Sequence, residues 1–143
     1  ICRSPMAEYM LRAGLDGSGG WIVASAGTMA AAGIPASGQA IDILAGKGID
    51  LTPHRSRPLD RYIVEASSVI VAMTAGHRDY VSRMFPESAS KTFLLKSFDG
   101  SEGGGDVADP IGASMETYRY VYNEIDNALP GLVEFLGKLR EGL

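Results

Sequence analysis

Apolar positions recur along the chain with two spacings, one helical and one short and continuous. Met6, Met10 and Leu11 fall on one helical face and predict a helix over 4–14. Ser4 can cap it, and Pro5 suits its first turn. Asp16 to Gly20 reads as a turn and Trp21 to Ser25 as a short apolar strand. Residues 26–36 form a loop of small residues. A second helix spans 37–46, with Ile41, Leu44 and Ala45 inward and Gly46 and Gly48 stopping it. A loop over 50–58 carries His54, Arg55 and Arg57, and a short helix follows at 59–66. Ser68 to Met73 contains the unbroken run Val69-Ile70-Val71-Ala72. Its branched side chains fit a strand covered on both faces of a parallel sheet. A polar helix over 75–85, a strand over Lys91 to Lys96 and a glycine-rich loop from Asp99 to Asp109 come next. The chain closes with a long helix over 114–141, apolar at Val121, Ile125, Leu129, Leu132, Leu136 and Leu139. Pro130 lacks the amide donor and crowds the preceding turn, which predicts a kink near Asp126.

Strands alternating with helices predict an α/β fold, a doubly wound parallel sheet with helices on both faces. Such folds bind ligands beyond the carboxyl ends of strands, often at a helix N-terminus. At 143 residues the chain is expected to form one domain, spanning 1–143. The 13 basic and 17 acidic side chains leave a net charge of −4, which argues against a nucleic-acid partner. No apolar run approaches the roughly 18 residues of a membrane span, so no membrane association is expected. One cysteine, Cys2, cannot form an internal disulfide, and two histidines, His54 and His77, make a catalytic metal an unpromising expectation.

The candidate chemistry begins at the first residues, Ile1-Cys2-Arg3-Ser4-Pro5. A helix start presents free N–H groups and the positive end of the macrodipole, so it favours an anion. Arg3 adds a planar fork matched to phosphate oxygens, and Ser4 adds a hydroxyl. Taken alone, an arginine beside a helix start is as readily a surface side chain. Asp109-Pro110 is by itself equally a turn before a helix.

The combination resembles the low molecular weight protein-tyrosine phosphatase family, of bacterial type. Its phosphate-binding loop (P-loop) has the signature C-x5-R-[ST] followed by Pro and a helix, with a second Cys just before the Arg. Cys2, Arg3, Ser4 and Pro5 fit that tail. Ser25-Ala26-Gly27-Thr28 resembles the family's Ser-Ala-x-Thr stretch. Leu51 to Arg57, with His54-x-x-Arg57, resembles the loop that buttresses the phosphate loop. Asp109-Pro110 resembles the general-acid motif. The matches occur in family order over nearly the whole chain.

The resemblance implies a four-stranded parallel sheet and a cytoplasmic phosphatase that acts on phosphorylated protein without a cofactor. It implies a phosphate site at Ile1, Cys2, Arg3 and Ser4, with Arg3 and Asp109 catalytic. It gives Ser25 and His54 supporting roles, His54 by hydrogen bonding to an Asn of the loop. The family's nucleophilic Cys lies six residues before the Arg, which falls ahead of Ile1. The first, central strand falls there too. The segment is therefore expected to be an N-terminally incomplete record. As written, it is expected to show no cooperative unfolding and no phosphoester hydrolysis.

Ile1 occupies the place where protein-arginine phosphatases carry Thr, and a branched aliphatic there favours phosphotyrosine. Ile111-Gly112 after Asp-Pro, and Met29-Ala30-Ala31-Ala32, stand where aromatic walls are frequent, so the pocket is expected to be shallow and apolar. Protein-arginine phosphatase is the alternative substrate class, and a non-catalytic phosphate-binding module the alternative function. Arsenate reductases share the fold and loop but need relay cysteines, and residues 74–90 contain none.

Overall fold

The run after Ser68 forms β1 (Ile70–Ala72), which pairs in parallel with β2 (Thr92–Leu94) in the register Ile70 to Thr92, Val71 to Phe93 and Ala72 to Leu94. This computed structural model describes residues 3–15, 20–100 and 105–141. Side chains around β1 alternate as a strand dictates. Val69, Val71 and Met73 pack into the main core, whereas Ala72 is buried outside it, as are Val64 and Val81. The sheet is thus covered on both faces, as an α/β parallel sheet requires.

Among the described residues five helices surround it: α1 (Arg3–Leu15), α2 (Gly38–Ala45), α3 (Arg61–Ala66), α4 (Ala75–Met84) and α5 (Met115–Glu141). Two 3-10 turns (Pro86–Lys91 and Leu95–Phe98) flank β2. Three helices start on side-chain caps that accept the orphan amides of the first turn. Ser37 accepts from Ala40, Asp60 from Ile63, and Thr74 from His77. Helix α4 packs on β1 and β2, while α5 packs on α1, α2 and the Leu95–Phe98 turn. Met6, Met10, Leu44, Val121, Ile125 and Leu132 form the centre of the core between them. Gly131 lets α5 approach that turn, because a Cβ there would lie 2.2 Å from the Phe98 carbonyl oxygen.

Several expectations change in detail. Ser4 lies inside α1 rather than capping it. Trp21 to Ser25 is not part of a ladder among the described residues. Its backbone is held by Arg12, whose Nε and Nη2 donate to the Val23 carbonyl at 3.1 and 2.7 Å. The sheet has two strands among the described residues, against the three of the family's four that were expected within residues 1–143. Helix α5 runs unbroken through Pro130, because its long apolar face is held against the core on both sides of that residue. No helix among the described residues is long and apolar enough to cross a membrane.

Candidate active site

Three segments converge at the N-terminal end of α1. The first is α1 itself, with Arg3, Ser4 and Glu8. The second is a pair of loops zipped together by backbone hydrogen bonds. Gly27 N–H donates to Arg57 O (3.0 Å) and Leu59 N–H to Gly27 O (2.9 Å). Gly33 N–H donates to Ser56 O (2.8 Å) and Ser56 N–H to Ile34 O (2.7 Å). The Ser56 hydroxyl adds a bond to Ala31 O at 2.5 Å. The third segment runs from Gly105 to Gly112 and is here called the acid loop. Two of its glycines, Gly105 and Gly112, take positive φ values of 108° and 73°, which only glycine adopts at little cost.

The guanidinium of Arg3 lies against the acid loop. Its Nη1 donates to Val107 O at 3.0 Å, and its Nη2 stands 3.7 Å from Asp109 Oδ2. The Arg3 side chain is 17% exposed and that of Asp109 is 51% exposed. The arginine is therefore held in a partly dry site, while the carboxylate keeps contact with solvent. Asp109 Oδ1 accepts the Ile111 amide at 3.1 Å, which fixes the carboxylate across Pro110.

Ser25 and His54 meet on a residue that the sequence reading did not single out. The buried Glu8 accepts the Ser25 hydroxyl at 2.6 Å and faces His54 Nδ1 at 3.4 Å, both through Oε1. Its Oε2 pairs with Arg12 one turn along α1. Tyr9 closes the group, edge-on to His54 and beneath the Arg12 guanidinium. Burial pushes the His54 pKa down, and the Glu8 carboxylate opposes that shift. Arg57 donates to Ser25 O at 3.3 Å. Ser4, Ser25, His54 and Arg57 thus line one small depression beside the start of α1.

Asp106 accepts the Ala75 amide at 2.8 Å and so ties the acid loop to α4. His77 on α4, given no function from sequence, feels the charges of Arg3, Asp106 and Asp109. Burial first, and then Arg3, pushes its pKa down. His77 stands in the first turn of α4, at the carboxyl end of β1. Ile1 and Cys2 lie outside the described residues. Met29 and Ile111 are exposed apolar side chains on the loops around this site.

An arginine at a helix start, a carboxylate 3.7 Å from it and a histidine-bearing loop thus come together at one end of α1. The model of the low molecular weight phosphotyrosine protein phosphatase family matches residues 1–141, and the chain belongs to that family. Among its relatives is the protein-arginine-phosphatase of Geobacillus stearothermophilus, 40% identical over 140 residues, which cover 94% of this chain and 88% of the relative. The low molecular weight protein-tyrosine-phosphatase Etp of Escherichia coli K12 is 31% identical over 128 residues, 90% of this chain and 82% of the relative. The solved structure of the YwlE arginine phosphatase from Geobacillus stearothermophilus superimposes with a TM-score of 0.88 at 38% identity. That match covers 99% of this chain and 89% of the other.

Proposed function

We propose that this chain carries out phosphotyrosine hydrolysis in proteins through a cysteinyl-phosphate. Ile1, Cys2, Arg3 and Ser4 form the tail of the phosphate loop, and the sulfur nucleophile is supplied six residues before Arg3. The N–H groups of the α1 start, Arg3 and the Ser4 hydroxyl favour a thiolate there. The thiolate attacks phosphorus in line, a sulfur–phosphorus bond forms, and the ester oxygen leaves with a proton from Asp109. Asp109, now ionised, takes a proton from water, which displaces the sulfur and releases phosphate. Arg3 stabilises charge on the equatorial oxygens in both steps. Ser25 and His54 support the loop by fixing Glu8 on the first turns of α1. On this reading residues 1–143 belong to one domain. The thiolate chemistry suits the reducing cytoplasm.

One observation carries the reading: Arg3 and Asp109, remote in sequence, meet across 3.7 Å. Ile1, at the position where protein-arginine phosphatases carry Thr, favours an aromatic ester. A second reading, phosphoarginine hydrolysis, is favoured by the 40% identity to a protein-arginine-phosphatase. The test is an assay of the enzyme, including the residues that precede Ile1, on phosphotyrosine and phosphoarginine peptides. Faster turnover of phosphotyrosine, lost in the Asp109→Asn and Arg3→Ala variants, is expected. Preference for phosphoarginine overturns the substrate assignment, and full activity of both variants overturns the mechanism.

A further inference from the structure

The residues just before Asp109 are held on three sides. Val107 N–H donates to Met73 O at 2.9 Å, at the end of β1. Val107 O accepts from Arg3 at 3.0 Å. Ala108 N–H donates to Glu124 Oε1 at 3.2 Å. The other oxygen of Glu124, Oε2, takes the Lys96 ammonium at 2.8 Å. Glu124 and Lys96 are each only 8% exposed, and Glu124 sits among Val121, Ile125 and Ala128 on the core-facing stripe of α5.

A buried ion pair is a poor source of stability, since apolar side chains of similar volume often do as well or better. Charge neutralisation by Lys96 engages only one carboxylate oxygen. The second oxygen is turned to a backbone amide adjoining the catalytic carboxylate. We propose that Glu124 is a positioning residue for the general acid. It fixes the Ala108 amide, and with it the reach of Asp109 towards the leaving oxygen, while Lys96 holds the other oxygen of Glu124 in place. This inference rests on the assignment of Asp109 as the acid.

A leaving-group comparison tests it. Phenol leaves poorly and needs its proton, whereas p-nitrophenol leaves well without one. The kcat/KM values for phenyl phosphate and p-nitrophenyl phosphate are measured on the complete enzyme and on three variants whose folding is checked by circular dichroism. Asp109→Asn is expected to slow phenyl phosphate selectively by about 100-fold or more. The double variant Lys96→Met/Glu124→Leu is expected to show the same selectivity at about one-tenth of that size, near tenfold. Glu124→Gln keeps a carbonyl for the Ala108 amide and is expected to retain the wild-type ratio. If the double variant does not fold, Glu124→Asp decides instead, because it keeps the charge and withdraws it from Ala108. A folded double variant, or in its place Glu124→Asp, with an unchanged ratio overturns the role of Glu124, as does equal slowing of both substrates or a Gln variant whose ratio departs from wild type. An unchanged ratio in Asp109→Asn overturns the acid assignment itself, whatever the Glu124 variants do.

Discussion

Replacing Gly131 by alanine probes the seam that holds α5 against the rest of the molecule. The added Cβ would stand 2.2 Å from the Phe98 carbonyl oxygen and 3.1 Å from its carbon, where ordinary contact begins at 3.4 Å. One of the two backbones must therefore retreat by about 1 Å. Overpacking costs about 1–3 kcal/mol, and a backbone obstacle places this site near 3. Alanine returns about 1 kcal/mol of helix propensity. The net loss is then about 2 kcal/mol, which at about 4 °C per kcal/mol lowers Tm by about 8 °C. Gly137→Ala is the control. It lies in the same helix with nothing within 4 Å of its Cβ, so it is expected to raise stability by about 0.5–1 kcal/mol. Thermal melts followed by circular dichroism read both. A Gly131→Ala protein as stable as Gly137→Ala would show that contact with Phe98 does not constrain α5.

Other outcomes follow from the site. Ser25→Ala removes a 2.6 Å bond to a buried carboxylate and is expected to cost about 1.5–3 kcal/mol in urea unfolding; a loss under 0.5 would mean Glu8 is satisfied without it. Arg3→Lys keeps the charge but loses the planar fork, so the enzyme is expected to lose about 100-fold in kcat with Tm little changed; wild-type turnover would refute the phosphate-binding role. Burial holds His54 and His77 below the ordinary imidazole pKa, so near pH 6 the unfolded chain binds more protons than the folded one. Stability is then complete above about pH 6.5 and falls as pH drops towards the lowered values; a Tm that stays flat from pH 7.5 to 5.5 would refute this.

The helices were legible from their local spacing and, for α2, from the glycines that follow it. Helices α2 and α4 stop at the predicted places to within a residue or two, while the caps Ser37, Asp60 and Thr74 were not singled out and Ser4, which was, lies inside α1. The β1 strand was legible from branched apolar residues, and its parallel partner from the helix between them. Trp21 to Ser25 looked like a strand for the same reason, yet strand formation needs a neighbour, which no local pattern supplies. At the site, Arg3 and Asp109 were found through the resemblance rather than through spacing. Glu8 was missed because Glu8 and Arg12, four apart, look like any solvated pair on a helix face. Glu124 was missed because one acid in a long amphipathic helix carries no sign of its burial. Its partners come from the Leu95–Phe98 turn and the acid loop, both distant in sequence.

The two halves of the proposed catalytic apparatus are mounted on different helices. The arginine rides on α1, the segment bearing the acid is moored to α5, and these helices press against each other through Met6, Met10, Val121 and Leu132. The gap between guanidinium and carboxylate is consequently an outcome of how two hydrophobic surfaces mesh. On the proposed mechanism, a methyl group gained or lost in that seam retunes proton delivery without touching any polar atom. Substitution at these oily positions thus adjusts rate while leaving the recognition chemistry alone.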